Sequence, residues 1–67
     1  MDRETAQKVV TLLLESSGKI ESAALVQDNC SDAEFKEYRR VCGQIMGDML
    51  TEILLPIFRE YPDLQPR

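Results

Sequence analysis

The feature that most constrains this chain is a run of apolar doublets spaced four residues apart. They are Val41-Cys42, Ile45-Met46, Met49-Leu50, Ile53-Leu54 and Ile57-Phe58. An α-helix turns about 100° per residue, so each four-residue step over-rotates by about 40°. Over four steps the apolar stripe moves about 160° around the helix. A stripe that winds this far cannot stay against one straight neighbour. The first half (Phe35, Tyr38, Val41, Cys42, Ile45) is therefore expected to face one partner. The second half (Leu50, Ile53, Leu54, Ile57, Phe58) must face another, or the helix must bend.

The start of this helix is well marked. Ser31-Asp32-Ala33-Glu34 fits a capping box, in which Ser31 accepts from the amide three residues on and Glu34 reaches back to the amide of Ser31. Asp32 and Glu34 also place negative charge at the positive end of the helix dipole. The spacing predicts a helix over residues 31–55. Pro56 cannot donate to the carbonyl of Glu52 and disfavours the helical region for Leu55. It is expected to kink or stop the helix, or to open a short turn over 56–60. Gly43 and Gly47 form a G-x-x-x-G pair away from the early stripe, beside Leu50 and Leu54. Each costs about 1 kcal/mol against alanine in a helix. Close approach of a second helix at that face is the expected reason, and two tolerated solvent-facing glycines are the plainer alternative.

Ahead of this element, residues 2–26 read as a first helix. Ala6, Val9, Val10, Leu13, Ser17, Ile20 and Ala24 share one face at spacings of three and four, with Leu12 and Leu14 flanking it. Ser16-Ser17-Gly18 is the weak point, because three poor helix formers in a row can end a helix. The stripe nevertheless stays in phase from Leu13 through Ser17 to Ile20, which favours a continuous helix. A break near Gly18, giving three shorter helices, is the alternative. Gln27, Asp28, Asn29 and Cys30 make a turn over 27–30. So short a connection implies an antiparallel hairpin. Residues 1–61 thus form one helical domain, and 62–67, with two prolines, an extended tail.

Both helices carry more apolar surface than one seam can cover, and a lone hairpin would leave a large patch in water. The expected resolution is a homodimer of hairpins closed into a four-helix bundle. The self-contact is expected through Met46, Met49, Leu50, Ile53, Leu54, Ile57 and Phe58. A different protein is the alternative occupant of this surface.

The chain lacks histidine, the commonest general base and metal ligand. Asp48 and Glu52 form an i,i+4 carboxylate pair with no obvious partners, and read as a solvated face. Cys30 has no histidine to activate it and is flanked by Asp28 and Asp32, which disfavour a thiolate. Cys30 and Cys42 lie too far apart on this topology for a disulfide. No catalytic, cofactor-binding or metal-binding residues are expected, and the chain reads as a non-enzymatic interaction module: an adaptor, a regulator or a chaperone-like subunit. The rival reading is a nucleic-acid-binding regulator using Lys36, Arg39 and Arg40. That cluster is interleaved with Asp32, Glu34 and Glu37, and a net charge of −4 works against it. The opening Met1-Asp2-Arg3-Glu4 does not resemble a secretory signal, and no uninterrupted apolar run approaches the ~18 residues of a membrane span. The cytoplasm is the expected location, with no membrane partner.

Overall fold

A computed structural model describes residues 1–66. The chain is an all-α hairpin measuring 45 × 20 × 16 Å. Helix α1 spans Arg3–Ala24. Asp2 caps it, its carboxylate accepting from the Thr5 amide at 2.8 Å. The helix runs unbroken through Ser16, Ser17 and Gly18. One turn on, the Ser22 hydroxyl donates to the Gly18 carbonyl at 3.0 Å. After Ala24 the last amides bond three residues back, Leu25 to Ser22 and Val26 to Ala23, each at 3.2 Å. Such tightened bonds close a fraying helix end. The connection is therefore longer than the expected turn, and Leu25 and Val26 stand exposed in it. Asn29 takes a left-handed backbone conformation with φ 55°, which asparagine tolerates better than most residues.

Helix α2 spans Asp32–Met49 and opens on the full capping box. The Ser31 amide donates to Glu34 at 3.0 Å, and the Glu34 amide donates to the Ser31 hydroxyl at 3.1 Å. The helix does not stop at Pro56. A single π-helical turn, Leu50–Leu54, joins it without a break to α3, Leu55–Glu60. The defining bond runs from the Leu55 amide to the Leu50 carbonyl, five residues back. In a regular α-helix the ring of Pro56 would press on the carbonyl of Glu52. Widening the turn just before the proline relieves that contact. Pro56 then occupies an early position of α3, where a missing amide proton costs little.

This turn answers the winding stripe in a way the doublets did not predict. In a straight α-helix Leu54 would lie about 140° around the axis from Met49. The extra residue in the π turn cancels most of that rotation. Leu54, Ile57 and Phe58 swing back onto the seam and bury against Ala6 and Val10 of α1. Leu54, Ile57 and Phe58 of the second half thus face the same neighbour as the first half, which corrects the expectation of a separate partner for these three; Leu50 and Ile53 stay exposed. The seam follows Phe35, Tyr38, Cys42, Met46 and Met49, all partly buried, and then steps five residues to Leu54.

The tail also departs from expectation. Pro62–Leu64 form a short 3-10 turn within what was expected to be an extended tail. Tyr61 and Leu64 pack against the core. The Tyr61 hydroxyl donates to the Met1 carbonyl at 2.9 Å, and Asp63 pairs with Arg3. Both chain ends are therefore tied together over the best-packed part of the molecule. Arg67 lies outside the described residues.

Candidate interaction surface

The seven residues expected to mediate self-contact divide into two groups. Leu54, Ile57 and Phe58 are 4%, 5% and 7% exposed and already covered by α1. Met49 packs against the same cluster, and the Met46 sulfur accepts from the Ser17 hydroxyl at 3.7 Å across the seam. With the hairpin closed, these five side chains are occupied within the chain. Leu50 and Ile53 remain in water, 44% and 41% exposed. The physical reason is again the π turn, which exchanges Ile53 for Leu54 on the seam.

Residues that the doublets assigned to the seam take the exposed role. Val41 and Ile45 are exposed, as is Leu12 on α1. Each of the first four doublets contains one seam residue and one flank residue, whereas Ile57 and Phe58 are both buried, and reading both members as one face concealed this. The signal was present in the wheel: Cys42, Met46 and Met49 are nearly collinear with Phe35 and Tyr38, and Val41 and Ile45 fall to one side by about 100° and 60°.

Among the described residues, no helix approaches Gly43 or Gly47. A Cβ placed on either would meet nothing within 4 Å. Within the hairpin, the expected close packing at this pair is absent. The two glycines form an open strip beside Leu50.

The basic cluster is largely engaged locally. Arg40 holds Glu37 in a 2.7 Å ion pair and reaches Gln44 at 3.5 Å. The Arg39 guanidinium lies 5.8 Å from the centroid of the Phe35 ring, in cation–π range. Lys36 is exposed. The hydrogen bond and charge of Arg40 hold the Glu37 carboxyl below its usual range.

At the turn end, Phe35 and Tyr38 meet edge to face with centroids 5.5 Å apart. The Tyr38 hydroxyl is shielded from water and, among the described residues, has no hydrogen-bond partner. Burial foremost, then the neighbouring Cys30 and Cys42 sulfurs, push it above the ordinary 10.0. Both cysteines are free and partly buried. Asp48 and Glu52 are exposed, and among the described residues no three potential metal ligands converge.

Because α2, the π turn and α3 run on as one helical body, Asp32–Glu60, its length exceeds the sequence expectation. It contains one stretch apolar and long enough to cross a membrane by composition alone, of which 17% is buried in the hairpin. The core helix of a protein in water passes the same test.

The fold and surface define the chain as an all-α helical hairpin with unpaired apolar flanks. Comparison with known families, with curated proteins and with solved structures returned no match.

Proposed function

We propose that the chain is a non-enzymatic protein–protein interaction module, of the adaptor, regulator or chaperone-subunit kind, that works as a homodimer. Two hairpins pair side by side into a four-helix bundle. One observation carries this reading. The chain exposes 5132 Å², whereas a folded monomer of 7.7 kDa is expected to expose about 4,300 Å². The excess, about 800 Å², is the area that each partner contributes to a standard protein–protein interface. Its radius of gyration, 14.5 Å, likewise exceeds the roughly 11 Å of a compact chain of this length. Leu12, Val41, Ile45 and Ile53 are among the large apolar side chains exposed on that surface.

Sedimentation equilibrium across a concentration series tests the reading. The expected mass is twice 7.7 kDa, persisting into the low micromolar range. A folded monomer at every concentration overturns it. The nucleic-acid reading has less support, since Arg39 and Arg40 already have partners within α2. Titration with single-stranded RNA at low salt is expected to show no binding; a salt-steep isotherm lost in the Arg39→Ala, Arg40→Ala variant would reverse that ranking.

A further inference from the structure

Resting on the self-association reading, we infer that the second copy docks on one particular flank of the hairpin, the one carrying Leu12, Val41, Ile45 and Ile53, with α1 of each copy lying on α2 of the other. The argument begins with helical geometry. Measured from the seam, Val41 and Ile45 lie on one side of α2 by about 100° and 60°, and Leu12 lies about 110° to the same side of α1. In an antiparallel pair of right-handed helices these sides coincide. Leu14 and Leu50 lie about 80–90° to the opposite side, where Gly43 and Gly47 also fall. Ile53 joins the first flank because the π turn rotates it off the seam; it lines a shallow depression with Glu52 and Pro56. The first flank therefore holds four exposed large apolar residues along the length of the molecule.

Charge then selects the occupant and its orientation. The α1 edge of this flank carries Lys8 and Lys19, and the α2 edge carries Asp48 and Glu52, all exposed. Lys8 also lies 4.0 Å from Glu4 on its own helix, in an exposed pair that contributes little, so the surface still presents lysines along one edge and carboxylates along the other, which makes it complementary to itself. A two-fold axis parallel to the helices lays the basic edge of one copy on the acidic edge of the other. The Ser17–Met46 contact sets the relative levels of the two helices. On that register Lys19 comes within about a turn of Asp48 of the second copy, and Lys8 within about a turn of its Glu52. Every neighbouring pair of helices is then antiparallel, as in an up-down-up-down bundle. The other two-fold arrangement stacks α1 on α1 and sets lysine against lysine, which like-charge repulsion disfavours. Gly43, Gly47 and Leu50 stay in water in this dimer.

The test is light scattering on the full chain and three variants, with helicity checked by circular dichroism. Ile45→Arg is expected to lose the dimer while keeping its helicity, because residue 45 is 47% exposed in the hairpin. Leu50→Arg is expected to remain dimeric. Lys19→Glu is expected to weaken the dimer, and adding Asp48→Lys is expected to restore it. A dimeric Ile45→Arg, or a monomeric Leu50→Arg, places the second copy on the glycine flank and overturns the inference while leaving self-association standing. A monomeric wild-type chain removes the self-association reading itself.

Discussion

The two ends of this hairpin are built differently. At the end where the termini meet, Ala6 and Val10 bury against Leu54, Ile57 and Phe58, and Tyr61 and Leu64 close over them. At the turn end only Ala24 is buried, and Ile20, Phe35, Tyr38 and Cys42 remain partly in water. The first end is held by packing. The second is held by local devices: the capping box, the Arg40–Glu37 pair and the Phe35–Tyr38 contact. Apolar burial scales with area removed from water, whereas exposed caps and ion pairs contribute a kilocalorie or less each, so cooperativity should originate at the termini and fade toward the turn.

The most severe way to break this contrast is to change helical phase. Deleting Gln44 rotates everything after it by about 100° relative to α1 and pulls Leu54, Ile57 and Phe58 off the seam. Loss of the cooperative unfolding transition is expected. Deleting Thr51 instead removes the extra residue of the π turn, converts its i→i+5 bonds to i→i+4 and keeps the seam aligned. That variant is expected to remain folded with the seam aligned but to lose about 3 kcal/mol by urea denaturation, because the regular turn returns the Pro56 ring to the Glu52 carbonyl and the bond from the Thr51 hydroxyl to the Gly47 carbonyl is also lost. If both deletions behave alike, the account of the π turn as a register correction fails.

Next in size are two phenylalanines at opposite ends. Phe58→Ala empties a site that is 7% exposed and is expected to cost about 3–5 kcal/mol. Phe35→Ala, at a site that is only partly buried, should cost less than half of that. Equal losses in thermal melts would show that the turn end is packed as firmly as the termini.

Two tyrosines give a finer comparison. Tyr61→Phe removes the bond to the Met1 carbonyl, a loss of about 1 kcal/mol. Tyr38→Phe removes a shielded hydroxyl that has no partner, and is expected to be neutral or slightly stabilising. A clear loss of stability in Tyr38→Phe would reveal a partner for that hydroxyl in solution.

The smallest expected effect is with acid. Hydrogen bonds from Thr5 hold Asp2 below its ordinary 3.8, and the Ser31 amide foremost holds Glu34 below its ordinary 4.5, as Arg40 does Glu37. A carboxyl whose folded value is depressed stabilises fully above its unfolded value and loses that contribution as pH falls through the folded one. Stability should therefore be flat above about pH 5 and decline below about 4.5. Two of the three groups cap or brace the start of α2, so amide exchange over residues 32–40 should accelerate before exchange in α3. The reverse order would contradict the division between a packed and a locally held end.

Much of this architecture was legible in the residues. The face of α1 was readable from Ala6, Val10, Ser17 and Ala24, because three- and four-residue spacing maps directly onto one side of a helix. The start of α2 was readable from Ser31 and Glu34, because a capping box acts within four residues. The continuity of α1 through Gly18 followed from the phase of the stripe on either side. Each of these depends on interactions short in sequence, and the chain carries them wherever it folds.

The path of the second helix was decided elsewhere. From the doublets alone, Ile53 and Leu54 are equivalent, and Pro56 reads as a kink, a stop or the opening of a short turn. Only the presence of α1, offering Ala6 and Val10 at a fixed height, makes burying Leu54 more favourable than keeping an ideal α-helix. The same decision settled which members of the candidate surface are covered and which stay in water. Phase errors accumulate with length, so sequence periodicity fixes a face over a few turns; holding one face over the whole of Asp32–Glu60 required a neighbouring helix to absorb the drift in one wide turn.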